Sequence, residues 1–180
     1  MSGTACKVDV LQMTAGIDPA ANARTLTAAI GEAAAAGAAM LFTPEMSGLV
    51  DRDRVRAAAH IVPEQDDPVL AAVREAAARS GVWVALGSLA VRAANGRYAN
   101  RAFVIDGTGG IAARYDKIHM FDVDVAGGES WREANAYAAG DVAVTVATPA
   151  GRLGAREERY DRRAREERYD RRAREERYDR

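Results

Sequence analysis

Hydrophobic and polar positions alternate differently in successive parts of this chain, and each period predicts a different element. Val8–Met13 is a short mixed apolar run of strand type. It is followed by Asp18-Pro19, where an aspartate can cap a helix and proline can occupy its first position. The Ala-rich stretch 20–36 then reads as a helix, with Leu26 and Ile30 one turn apart on a single face, and Gly37 stops it. Ala38–Phe42 is a second apolar run, ending at Thr43-Pro44-Glu45. A second helix is expected over Pro68–Arg79, opened by Asp66-Asp67 and closed at Ser80-Gly81.

From there the period shifts from helical to extended. Val82–Val91 is long, apolar and β-branched enough to be a buried strand. Tyr98–Asp106 and Ile111–Tyr115 read as further strands joined by the turn Gly107-Thr108-Gly109-Gly110, which predicts a hairpin. Residues 118–141 show little periodicity and several glycines, so a long functional loop is expected there. Val142–Thr148 alternates as a strand, and Pro149-Ala150-Gly151 turns toward Arg152-Leu153. Strands alternating with helices, then strands linked by hairpins, predict a mixed α/β sheet covered by helices.

The pattern breaks at residue 155. From Ala155 to Arg180 the nonapeptide AREERYDRR repeats almost three times. Residues 1–154 are therefore read as the folded part, and 155–180 as a charged low-complexity tail. Nine residues advance a helix by about two and a half turns, so Tyr160, Tyr169 and Tyr178 alternate sides and no apolar stripe forms. A solvated helix or a disordered segment is expected. Near-identical copies point to a recent duplication or a shift of reading frame as their origin.

Charge alters this picture little. The net charge is −1; the tail carries 11 Arg against 9 acidic residues, leaving 14 basic and 17 acidic residues before it. Neither part is basic enough to imply nucleic acid, and no apolar run is long enough for a membrane span. The first residues lack a basic segment leading into an apolar one, so a cytoplasmic location is expected. The single cysteine, Cys6, fits a reducing compartment.

Candidate chemistry lies at strand ends, where α/β proteins build sites. Glu45 follows an apolar strand and a proline. Lys117 is one of only two lysines, in Tyr115-Asp116-Lys117-Ile118-His119. Glu133 closes the segment Gly127-Gly128-Glu129-Ser130-Trp131-Arg132-Glu133. Taken singly, each reads as readily as a surface charge. His60 and His119 share no metal-ligand or Cys–His spacing, and no metal or cofactor is expected.

In combination the segments carry more. VLQM, LFTPEM around Glu45, YDKIHMFDVDV around Lys117, then GGESWRE and GRLG, resemble in order and spacing the carbon–nitrogen hydrolase (nitrilase) superfamily over most of residues 7–154. The branch most resembled is that of ω-amidase and deaminated glutathione amidase. The resemblance implies an α-β-β-α sandwich, here truncated, and a Glu–Lys–Cys mechanism on small ω-amides such as α-ketoglutaramate. It assigns Glu45 as general base, Lys117 as stabiliser of the tetrahedral oxyanion and Glu133 as the second carboxylate, orienting the ammonium.

The nucleophile implied by the resemblance is a cysteine a few residues after Gly151-Arg152-Leu153-Gly154. At that place the sequence has Glu158 or Arg159, depending on the anchor, and neither replaces a thiolate. Cys6 matches nothing in the motif. The expectation is therefore a family member without amidase activity as written, or else a pseudoenzyme that partners an intact amidase. Homo- or hetero-oligomers are expected, with Val82–Val91 and Val142–Thr148 partly exposed.

Overall fold

The computed structural model of the chain describes residues 6–120, 122–124 and 130–155. The expectations for the repeat after Ala155, including Glu158 and Arg159, lie outside the described residues.

Strand β1 (Val8–Val10) leads to helix α1 (Pro19–Ala35), which begins as its sequence predicts: the Asp18 carboxylate accepts the backbone N–H of Ala20 at 2.9 Å. Strand β2 (Met40–Phe42) follows, then a short helix α2 (Arg54–Ala58) and helix α3 (Pro68–Ser80). Asp67 caps α3 through Leu70 N–H, and Gly81 ends it in the left-handed region at φ 71°. The helix α2 was not expected: five residues with no buried side chain leave no periodic signal, only the cap at Asp53.

Strands β3 (Trp83–Arg92), β4 (Tyr98–Ile105) and β5 (Ile111–Asp116) complete a five-stranded sheet ordered β1-β2-β3-β4-β5. The first three strands run parallel, with α1 and α3 in the crossovers, and the last two join as antiparallel hairpins. The change of period read in the sequence is this change of connection.

Both α1 and α3 lie on one face of the sheet. Leu26, Ile30, Val69, Val73 and Ala77 pack there against Leu41, Val84, Leu86, Val91, Phe103 and Ile105, all at most 2 % exposed. The partial exposure expected of Val82–Val91 is confined to one face: the two helices cover the other fully, while Trp83, Ala85 and Gly87 are half-buried.

Beyond β5 the expected loop contains structure. Strands β6 (Asp122–Asp124) and β7 (Ser130–Arg132) pair antiparallel, and a single 3-10 turn spans Glu133–Asn135. Three-residue strands are too short for periodicity to reveal. A final hairpin, β8 (Val144–Thr148) and β9 (Gly151–Ala155), turns at Pro149-Ala150 as expected. It meets the second face of the sheet, around a cavity of 170 Å³ lined by Phe42, Ala85, Val104, Tyr115, Val146 and Leu153. As expected for the Val142–Thr148 run, this cover is partial: Val142 is 61 % exposed, Thr145 and Ala147 are exposed, and Val144 and Val146 are half-buried.

Candidate active site

The site forms just past the carboxyl end of β2, where a parallel strand delivers its chain into a loop. Thr43-Pro44-Glu45 passes so close to β3 that a Cβ on Gly87 would sit 2.4 Å from the carbonyl oxygens of both Thr43 and Pro44. Only glycine permits that approach. The loop is then pinned to β3: Gly87 N–H donates to Thr43 Oγ1 at 3.1 Å, and Met46 N–H to the buried Ser88 Oγ at 2.9 Å. Met46 takes φ 54°, the only positive φ at a non-glycine among the described residues. That left-handed residue, directly after Glu45, turns the chain so that Glu45 projects into a cavity while Leu49 packs with Ile61 and Ala90 beneath.

Lys117 arrives from the other side of the sheet. Its backbone N–H donates to Asn100 O at 2.9 Å, extending the β4–β5 ladder by one residue. On the opposite face, Arg101 and Asp116 are direct cross-strand partners in a two-pronged ion pair of 2.6 and 2.8 Å. Glu64 accepts from Arg101 and from Arg114 at 2.7 and 2.8 Å. Because side chains alternate along a strand, this clamp below the sheet places Asn100 and Lys117 above it.

Glu133 is brought in by its own segment. Ala138 N–H donates to Tyr98 O at 2.7 Å, Arg97 Nη2 donates to the carbonyls of Ala134 and Tyr137 at 2.8 and 2.9 Å, and Gly140 N–H donates to Lys117 O at 2.8 Å. A Cβ on Gly140 would lie 2.3 Å from Asp116 O, so this approach also requires glycine.

The three residues singled out in the sequence thus meet. Lys117 Nζ lies 2.9 Å from Glu45 Oε1 and 3.1 Å from Glu133 Oε2. A fourth residue, which sequence reasoning missed, joins them. Asn100, 3 % exposed, donates from Nδ2 to Glu45 Oε1 at 2.7 Å and to Glu133 Oε1 at 3.1 Å. Its only signal in the sequence was an amide inside the strand Tyr98–Ile105.

The electrostatics follow from this geometry. Burial alone would raise the Glu45 carboxyl; hydrogen bonds from Lys117 and Asn100, with the lysine charge, outweigh it and hold Glu45 below its ordinary range. Burial alone would lower Lys117; its bonds to Glu45 and Glu133 outweigh that and hold it above its ordinary range. Lys117 is therefore a fixed cation between two carboxylates. Tyr137, half-buried near Glu133, is pushed up to about 12, by desolvation first and then by Glu133.

The cavity over this cluster measures 880 Å³, within the size range of small-molecule sites. Leu49, Ile61 and Tyr137 give it an apolar wall, and Arg52 and Arg54 also line it. Among the described residues no group of His, Cys, Asp and Glu could hold a metal ion, and no helix is long and apolar enough to cross a membrane. Cys6 is exposed beside the amino end of β1. Since β1 and β2 are parallel, it lies at the opposite end of the sheet from Glu45. His60 is exposed and outside the cluster, and His119 is exposed two residues beyond Lys117.

Comparison with known proteins agrees with the fold. The family model described as carbon-nitrogen hydrolase matches residues 7–171, and the chain belongs to that family. A deaminated glutathione amidase of Yersinia enterocolitica is 36 % identical over 121 residues, covering 66 % of this chain and 42 % of that protein. The human deaminated glutathione amidase is 27 % identical over 162 residues, covering 86 % of the chain and 49 % of the protein. The crystal structure of the C. elegans NitFhit protein superposes with a TM-score of 0.71 at 28 % identity, over 81 % of this chain and 36 % of that one. The fold is thus nitrilase-like. The chain spans about half the length of the curated relatives it matches.

Proposed function

We propose that this chain carries the base-and-cation part of an amide-hydrolysing site, and that the 180 residues as they stand bind a small ω-amide without turning it over. The observation that carries this reading is the Glu45–Lys117–Glu133 cluster, three charged groups from three distant segments converging within 3.1 Å on the floor of one cavity. In the mechanism the family implies, Glu45 takes a thiol proton and returns it to the leaving amine. Lys117, held charged by its two carboxylates, faces the oxygen that becomes negative when the carbonyl carbon turns tetrahedral. Glu133 keeps the ammonium in place, and Arg52 and Arg54 suit a substrate with a free carboxylate at its other end.

The step that is missing is acylation. It needs a thiolate within hydrogen-bond reach of Glu45, and the one cysteine of the sequence sits at the other end of the sheet. Without it the carboxylate and ammonium have no attacking atom to activate.

The test is ammonia release from α-ketoglutaramate by the purified chain, measured beside Glu45→Ala. No release above that control is expected, together with a substrate-dependent shift of the Lys117 side-chain NMR signal. Turnover lost in Glu45→Ala would overturn the inactivity, and a Lys117 signal indifferent to saturating amide would overturn the site.

A further inference from the structure

We infer that Asn100 is a positioning residue of this site: its side-chain amide holds Glu45 and Glu133 side by side around Lys117 and reserves Glu45 Oε2 as the oxygen that takes the proton. This rests on the amide-hydrolase reading of the cluster.

The geometry is a closed ring. Lys117 Nζ bridges Glu45 Oε1 and Glu133 Oε2, and Asn100 Nδ2 bridges Glu45 Oε1 and Glu133 Oε1. Two carboxylates facing a single ammonium would otherwise repel each other on the side away from it. An amide nitrogen carries two N–H groups diverging from one atom, so it can donate to both at once. The two acceptors also fix which way the amide points, since the reverse orientation would set Oδ1 against two carboxylate oxygens.

The consequence for Glu45 is asymmetric. The hydrogen bonds it receives from the described residues, at 2.7 and 2.9 Å, both fall on Oε1. Oε2 receives neither of these bonds, and the Glu45 side chain, which lines the cavity, is 55 % exposed, while Lys117 and Glu133 are 17 % and 11 % exposed. A base needs an uncommitted lone pair aimed at the reacting proton. A cation in place of Asn100 would fix the carboxylates too, at the cost of basicity. A neutral donor fixes them while leaving Lys117 as the one cation of the ring. Asn100 is itself rigid, buried in β4 with its carbonyl accepting from Lys117 N–H. Among the described residues, the other ionisable groups lining the cavity around the ring are Asp51 and Arg52 before α2, Arg54 in it, Arg97 and Tyr98 at the start of β4, and Tyr137 from the Glu133 segment.

The experiment is a carbon-detected NMR titration of the full chain, following the Glu45 carboxyl and the Lys117 ε-carbon, with Lys7 as the one other lysine and an internal reference. In Asn100→Ala the Glu45 midpoint should move up, because a donor to its ionised form is gone. In the nearly isosteric Asn100→Asp a third carboxylate joins the ring, and the Lys117 midpoint should move up. A folded Asn100→Ala whose Glu45 titrates as in the parent would overturn the inference.

In the unsubstituted chain the Asn100 side-chain amide signals should follow the Glu45 titration and cease to do so in Glu45→Gln. Amide signals indifferent to pH would overturn the inference even if neither Asn100 variant folds. Failure of the underlying site reads differently: Lys117 would then be indifferent to Glu45→Gln and Glu133→Gln, whatever Asn100 does.

Discussion

At the scale of single residues, the site is a problem of three charges and one cation's worth of compensation. Glu45 titrates lower in the folded chain than its unfolded value of 4.5, and Lys117 higher than its unfolded value of 10.5. The Glu45 contribution to stability is therefore complete above about pH 4.5 and fades as pH falls through its folded midpoint. The Lys117 contribution is complete below about pH 10.5 and fades as pH rises through its own. Between those limits the cluster stabilises the fold. Lys117→Met removes the cation and leaves the two carboxylates that share Asn100 without it. Since Glu45 is more than half exposed, water recovers part of the loss, and a cost of about 1–2 kcal/mol at pH 7 is expected. Urea unfolding at pH 7 and pH 3.5 checks it: the deficit should shrink at the lower pH, where protonated carboxyls no longer repel. An equal deficit at both would mean that lost packing, rather than charge, is responsible.

At the scale of elements, what places the cluster is the close approach of loop to strand and the clamp beneath β4 and β5. Gly87→Ala puts a methyl carbon 2.4 Å from two backbone oxygens, which cannot rotate away as a side chain would. The loop bearing Glu45 must move, at about 1–3 kcal/mol, and the Lys117 NMR signal should shift although no charge has changed. An unshifted signal would show that the loop absorbs the methyl without moving Glu45. The clamp makes a graded prediction. Arg101 is 21 % exposed and bridges Glu64 and Asp116, whereas Arg114 is 47 % exposed and meets Glu64 alone. Arg101→Met should cost about 2–3 kcal/mol by taking from Asp116 its two-pronged ion pair and leaving Glu64 with Arg114, and Arg114→Met under about 1 kcal/mol. Thermal melts of the two variants decide, and equal costs would remove the clamp's claimed role.

Most of these elements were legible in the sequence because their ends are chemically marked. Asp18-Pro19 and Gly37 bound one helix, and Asp67-Pro68 and Gly81 the other. What stayed hidden has physical reasons. Helix α2 has no fully buried residue, β6 and β7 are three residues each, and the contacts Glu45–Lys117 and Glu45–Asn100 span 72 and 55 residues of chain. Motif order named Glu45, Lys117 and Glu133; no local pattern names a buried amide whose partners are that far off.

At the scale of the whole molecule, the two faces of the sheet are unequally covered. One face is sealed by α1 and α3. Among the described residues the other meets the β8–β9 hairpin, which leaves Phe42, Ala85, Val104 and Ala113 half-buried around a cavity. At the sheet edge, β1 carries Val10 at 77 % and Val8 at 40 % exposure, with no partner strand on its outer side among the described residues. A half-covered apolar face and an open edge both lower their free energy by association. We predict that the chain self-associates in a concentration-dependent way, by sedimentation at micromolar concentrations. Val10→Lys, which places a charge on the edge strand without touching the helix-covered core, should weaken that association while leaving the melting temperature of the dilute protein within a few degrees. A monodisperse monomer with a cooperative melt across the concentration range would show that the β8–β9 hairpin covers the second face well enough by itself.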